Sequence, residues 1–256
     1  MRALTRQDAA STLPPMDAPG FDLLLEDGPV LLVAKPAGVL TQAPPGIDSL
    51  EERIKRFLRA RDDRHRGVYL GVPHRLDRPV SGAMVFARHV RACRRIAEQF
   101  EGRLVKKLYW ACVEGEVTPP VGTWRDFLRK IPGQARAEVV PEDHPEGRPA
   151  TLHYRTLGTS SLGTWLQIEL ETGRTHQIRV QAASRGHPVL GDEQYGSRRP
   201  FGVQHDDSRM RSIALHARSL ALQHPITRTP LAAEAPLPEA WRELKCQVLA
   251  GTPFSD

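Results

Sequence analysis

The chain has 256 residues, 40% of them hydrophobic, with a formal net charge of +6 and a pI of about 9.5. That length can bury a sizeable core, most simply as one large domain, and the basic excess favours a polyanion over an acidic small molecule, nucleic acid ahead of a membrane surface. Three cysteines, Cys93, Cys112 and Cys246, are odd in number and far apart, which argues against a disulfide framework and a structural zinc site and suits a reducing cytosol.

Taken in chain order, residues 1–20 are proline-rich without periodicity and have no apolar centre like that of a signal peptide, so they read as a tail ahead of a domain over 21–256. PVLLVAKPAG (29–38) is a buried strand ending in a turn. Ser49 and Glu52 have capping-box spacing, and Leu50, Ile54, Phe57 and Leu58 fall on one helical face. The opposite face carries Arg53, Lys55, Arg56 and Arg59, more simply a solvated face than an RNA contact. AMVFAR is a strand, and VRACRRIAEQFEG a helix with Val90, Cys93, Ile96, Ala97 and Phe100 inward and Gly102 as its stop. KKLYWACVEGEV alternates as a strand does. Residues 118–150, rich in Pro, Gly and charge, read as an excursion of short strands and loops. A strand at 164–170, a Gly turn and a helix from Thr175 to Arg185 follow. Strands and helices intermingle without βαβ alternation, so the expected fold is α+β, a mixed, largely antiparallel central sheet flanked by helices and loops. No stretch approaches the roughly 18 apolar residues of a membrane span, and a soluble, cytoplasmic protein is expected.

Several chemistries lack their residues. There is no phosphate-cradling G-x-x-x-x-G-K-[ST], no HExxH and no dinucleotide glycine turn. His144-Pro145-Glu146 matches half of a deaminase signature, but P-C-x-x-C is absent. What remains is HRLD (74–77) and GRTHQIR (173–179), about a hundred residues apart, with KKLYWA between. They supply a carboxylate able to act as nucleophile or base, Arg and His side chains for phosphate, and a phenol; a cation beside a carboxylate favours its ionised form. On motif content alone, Asp77 reads first as a salt bridge or turn cap with Arg75 or Arg78. Only six of the 36 basic residues are Lys. Arg's planar fork suits phosphate and bases, though a GC-rich genome writes Arg for Lys equally well.

HRLDRPVSG, KKLYWA and ETGRTHQIRVQAASRGHPVLGDEQYG together resemble the RluA-type RNA pseudouridine synthases, and VAKPAGV and LALQHPITRTPLAAEAPLP fit the same pattern, over residues 21–240. The resemblance implies the pseudouridine synthase fold, with Asp77 as catalytic carboxylate, Tyr109 in the active site and Arg179 paired with the Asp. It puts Arg75 into the RNA to hold the target uridine out of the stack, with Arg174 and His176 also at the RNA. The implied reaction breaks the N-glycosidic bond of a uridine and forms a C-glycosidic bond through C5. It needs no cofactor and no metal; Asp77 attacks C1′ or removes the C2′ proton, and the residues do not choose. The family commonly has Thr where this chain has Val80, and often His where it has Gln181, which touches loop support and RNA contacts. A ribosomal or transfer RNA stem-loop is the expected partner of a monomer, with no membrane partner. Two rivals stand beside this reading. A glycoside hydrolase needs a second carboxylate, for which only Glu171 and Asp192 are near the motifs; a non-catalytic RNA-binding protein explains the charge but not the Asp among arginines.

Overall fold

The computed structural model of the chain describes residues 19–63 and 67–248. The expected tail lies almost wholly outside the described residues, as does the side chain of Cys246. Strands β1 (Asp22–Asp27) and β2 (Val30–Lys35) form a hairpin, followed by α1 (Leu50–Arg61), β3 (Ser81–Ala87), α2 (Val90–Glu101) and β4 (Lys106–Val113). Next come β5 (Val121–Lys130), β6 (Ala137–Val140), β7 (Arg148–Ser160), β8 (Gly163–Leu170) and α3 (Gln177–Ser184). Strands β9 (Leu215–Gln223) and β10 (Pro230–Glu234) and helix α4 (Glu239–Val248) complete the order.

All ten strands belong to one sheet in the order β1-β2-β3-β9-β4-β8-β7-β5-β6, with β10 also on β9. Among the described strands the β3–β9 pair is parallel and the rest antiparallel, so the α+β, mixed and largely antiparallel expectation holds. At Gly82, φ +123°, a Cβ would lie 2.3 Å from the Ala217 carbonyl oxygen. Only glycine lets the β3 and β9 backbones approach there, so the end of HRLDRPVSG serves architecture.

The central strands are buried on both faces. Leu31 and Val33 of β2 join a main core with Leu50, Ile54 and Leu58 of α1, whereas Val30, Leu32 and Ala34 join a second core with Ala92 and Ile96 of α2. Two-sided burial is why β2 is an unbroken apolar run. Each fully buried Leu or Ile adds roughly 1.5–3 kcal/mol. The α1 cap is as expected, Ser49 accepting from the Glu52 N–H. Its basic face is ion-paired: Arg53 with Asp48, Lys55 with Glu51, Arg59 with Glu52.

Three expectations need correction. Val90 is 66% exposed, not inward; His89 caps α2 through the Ala92 N–H, so Ala92 is the first buried residue. Residues 118–150 are no excursion: β5, β6 and the start of β7 extend the main sheet. Their charged, one-sided alternation reads as surface because α3 covers only part of that face. Helix α3 starts at Gln177, not Thr175, because His176 is left-handed at φ 53°. Among the described residues no helix is long and apolar enough to cross a membrane.

Candidate active site

The loop before β3 is fixed through its backbone. Leu76 donates its N–H to Thr41 Oγ1 (3.2 Å) and accepts the Thr41 hydroxyl at its carbonyl (2.9 Å). His74 Nε2 accepts the Val85 N–H at 3.0 Å, and its ring stacks on Phe100 with centroids 4.5 Å apart. Burial pushes His74 down to about 3, which keeps it a neutral acceptor. The Arg78 carbonyl accepts from the Gly38 N–H (2.8 Å) and from the ammonium of buried Lys35 (3.2 Å), which also donates to the carbonyls of Pro36 and Val39. Leu76 is thereby locked into the core. In extended backbone its two neighbours project the other way, so Arg75 and Asp77 both line the cleft.

Opposite the loop, Arg179 of α3 is 4% exposed and donates Nη1 to Asp77 Oδ2 at 3.2 Å. Its Nε and Nη2 grip both Asp192 oxygens at 2.6 and 2.8 Å, and Nη2 also reaches Gln194 Oε1 at 2.8 Å. The guanidinium carbon lies 4.9 Å from the Tyr195 ring centroid. This planar, bidentate hold lets a buried guanidinium present one remaining donor edge to Asp77.

The left-handed His176 brings Nε2 to 3.5 Å from Asp77 Oδ2 and Nδ1 to 2.9 Å from the Tyr195 hydroxyl. Burial lowers its pKa, against the pull of Asp77. The Tyr195 hydroxyl accepts the Ala137 N–H and has the Ala137 carbonyl at 3.3 Å as a second acceptor for its own proton; in the tautomer whose Nδ1 accepts that proton instead, Nε2–H faces Asp77. Gln177 fixes the turn itself, accepting from the Thr172 hydroxyl (2.8 Å) and the Arg174 N–H (3.0 Å). Both contacts to Asp77 fall on Oδ2; Oδ1 has no hydrogen-bond or ion-pair partner among the described residues.

In β4, Trp110 packs edge-on to Trp165 at 5.4 Å and Tyr109 faces the cleft. Burial, and then the nearby Asp77 carboxylate, raise the Tyr109 pKa. One cavity of about 560 Å³ is lined by all six residues expected from sequence: Arg75, Asp77, Tyr109, Arg174, His176 and Arg179. A second, of about 890 Å³, is bordered by Arg78, Lys130, Arg209 and Arg211 and shares Arg75, Asp77, His176 and Arg179 with the first. Arg75 is exposed and has no hydrogen-bond or ion-pair partner among the described residues. Arg174 donates Nε to the Pro149 carbonyl at 3.0 Å.

Asp192, Gln194, Tyr195, Thr41 and Lys35 support the site without having been singled out as site residues; the GDEQYG segment was visible, but not its contact with Arg179. Gln181 turns away from the cleft, its amide donating to Asp126 Oδ2 at 2.6 Å, and Val80 is 2% exposed in the core. Val80 nevertheless lines the first cavity, so of the two departures only Gln181 lies away from the cleft. Among the described residues the carboxylates that share a cavity with Asp77 are Glu101 and Glu171 in the first and Asp192 and Glu193 in the second; Asp192 is held by Arg179, Glu193 pairs with Arg211, and exposed Glu171 lies 3.5 Å from Arg103 and 3.4 Å from His153. Among the described residues no group of three or more His, Cys, Asp or Glu is placed to share a metal ion.

The fold has solved counterparts. It matches the structure of Human RNA Pseudouridylate Synthase Domain Containing 4 with a TM-score of 0.72 at 21% identity, over 88% of this chain and 92% of that one. At that identity the likeness establishes the architecture, that of a pseudouridylate synthase. Sequence carries it further: residues 29–184 match the RNA pseudouridylate synthase family. A Ribosomal large subunit pseudouridine synthase D of Xanthomonas campestris is 35% identical over 90% of this chain and 70% of its own length. Its Escherichia coli namesake is 34% identical over 90% and 71%, and an uncharacterized RNA pseudouridine synthase of Synechocystis is 33% identical over 88% and 68%. The chain belongs to the RNA pseudouridylate synthase family, in its RluA-type branch, and is an isomerase that acts on RNA.

Proposed function

We propose that this chain isomerises a specific uridine in structured ribosomal or transfer RNA, with Asp77 as the catalytic carboxylate. The observation that carries the reading is the asymmetry of Asp77: Arg179 and His176 hold Oδ2, and Oδ1 is left to the cleft. Oδ1 attacks the ribose C1′ or takes the C2′ proton. The N-glycosidic pair leaves with N1 and the uracil turns; C5 then bonds to C1′, releasing the Asp77 ester in the first route or with Asp77 returning the proton to C2′ in the second, and loss of the C5 proton restores the ring while N1 gains one. Tyr109 lies beside the base. Arg75 holds the flipped state, Arg174 contacts the backbone, and His176 serves Asp77 as much as the RNA.

The Xanthomonas and Escherichia relatives are named for the large ribosomal subunit, which favours ribosomal over transfer RNA as the substrate. We read residues 21–256 as one catalytic domain working as a cytoplasmic monomer. The test is Asp77→Asn, which keeps shape and removes the carboxylate. Pseudouridine formation should fall by roughly 10²–10⁴-fold or more, with RNA affinity and thermal stability retained. Chemical pseudouridine maps of a deletion strain complemented with either form should differ at the target uridine. Turnover of Asp77→Asn within tenfold of wild type excludes this assignment, and RNA binding without any activity in the wild type supports a binding protein instead.

A further inference from the structure

One cation in the cleft has no part in the chemistry above. Lys107 lines the first cavity but not the second, and it is half-buried. Its ammonium has no hydrogen-bond or ion-pair partner among the described residues. A Cβ built on Gly173 would lie 3.5 Å from Lys107 Nζ, which sets the ammonium against the GRTH loop. Of the two glutamates that line this cavity, Glu171 is engaged with Arg103 and His153, and Glu101 forms no ion pair with Lys107. A partly desolvated ammonium without an acceptor is unfavourable, and burial followed by the charge of Arg103 lowers its pKa.

Its position narrows the missing acceptor. Lys107 lies two residues before Tyr109 in β4, so both share a face, about 6.5–7 Å apart along the strand. Asp77 lines both cavities and Lys107 only the first, so Lys107 belongs to the part of the first cavity away from their junction. The exposed, unpartnered Arg75 is at the junction with the second cavity, where a phosphate backbone has cations enough. With the ribose at Asp77, the far end of the first cavity receives the ring atom opposite the glycosidic bond.

We infer that Lys107 determines base specificity by donating to the carbonyl oxygen that lies across the pyrimidine ring from the glycosidic bond. This rests on the reading of Asp77 as the group at the ribose. In uridine the atom opposite N1 is C4, and its oxygen accepts. Cytidine carries an amino group there, a donor that meets an ammonium with no acceptor of its own. After detachment the uracil turns so that C5 takes the place of N1. The atom opposite C5 is C2, which again bears a carbonyl oxygen. One ammonium thus satisfies substrate and product alike and refuses cytosine.

The experiment is a cycle between Lys107→Met and a target 4-thiouridine, whose sulfur is the weaker acceptor, read as single-turnover rates. Lys107→Met should slow uridine isomerisation by roughly tenfold to a hundredfold, the range for a hydrogen bond to a charged group. The thio substitution should slow wild type more than the variant, because both remove one contact. RNA affinity and its salt slope should be unchanged, and Lys107→Arg should recover part of the rate. Additive losses with a salt slope reduced by about one unit would make Lys107 a phosphate ligand, and additive losses with a lowered unfolding temperature would make it structural; either overturns the inference. Active Asp77→Asn sinks the underlying reading, whereas inactive Asp77→Asn beside an additive cycle sinks only the role of Lys107.

Discussion

Arg179 has two carboxylates to satisfy, and only a planar fork can do it: one edge takes Asp192 and the remaining donor takes Asp77. Lys in its place keeps the charge but cannot bind both, so Arg179→Lys should cost at least roughly tenfold in rate and Arg179→Leu nearly all activity. Asp192→Asn leaves a buried guanidinium short of a countercharge. It should cost about 3–5 kcal/mol in urea unfolding and lower kcat with KM for RNA little changed, since Asp192 is 1% exposed and its carboxylate is taken up by Arg179. Wild-type kcat in a destabilised Asp192→Asn would show that Arg179 does not need this hold to align Asp77. The two partners differ in legibility. Asp77 and Arg179 stand inside short motifs whose resemblance names them. Asp192 was visible only as a spare carboxylate near the motifs, because its meaning is a contact with a guanidinium that the chain's folding creates. Tyr195 was hidden for the same reason.

At the scale of elements, the turn after β2 and the Asp77 loop are joined by one buried ammonium. Burial pushes Lys35 down to about 7, against the pull of Asp77, while three carbonyls accept its protons. Below about pH 7 the amine is charged in folded and unfolded chains alike, and its burial weighs fully against folding. Above it the unfolded chain holds more protons up to the ordinary Lys range of about 10.4, so this contribution to stability rises with pH. The stability of wild type minus that of Lys35→Met should therefore grow by about 1.4 kcal/mol per pH unit from near neutrality upward. A flat difference would mean that the three carbonyls keep the ammonium charged. Helices α1 and α2 and strands β2, β3 and β4 were legible because burial writes itself as periodicity or as an apolar run. The sheet extension of β5 to β7 was not, since its half-exposed strands carry charge at alternate positions. The start of α3 was misjudged because a left-handed histidine has no signature in sequence.

Over the whole molecule, the basic excess is not equally available to RNA. Arg53 and Arg59 of α1, with Arg61, Arg88, Arg129 and Arg185, are held by acidic partners. Arg75 is exposed without a partner among the described residues and lines both cavities. That junction is where a nucleotide leaving a stack for the Asp77 cavity would open a gap. Flipping a stacked uridine costs a few kcal/mol, less when the base is mismatched or already extruded. If the Arg75 side chain fills the gap, Arg75→Ala loses activity chiefly by failing to offset that cost. Its defect should then shrink on an RNA whose target uridine is mismatched, while Asp77→Asn stays inactive on both RNAs. A plain phosphate contact behaves otherwise: it weakens binding to both RNAs alike and lowers the salt slope by about one unit. Single-turnover rates and salt-dependent affinities on a matched pair of RNAs separate the two. An equal loss on stacked and pre-extruded targets assigns Arg75 to the backbone or to holding Asp77, and removes it from base flipping.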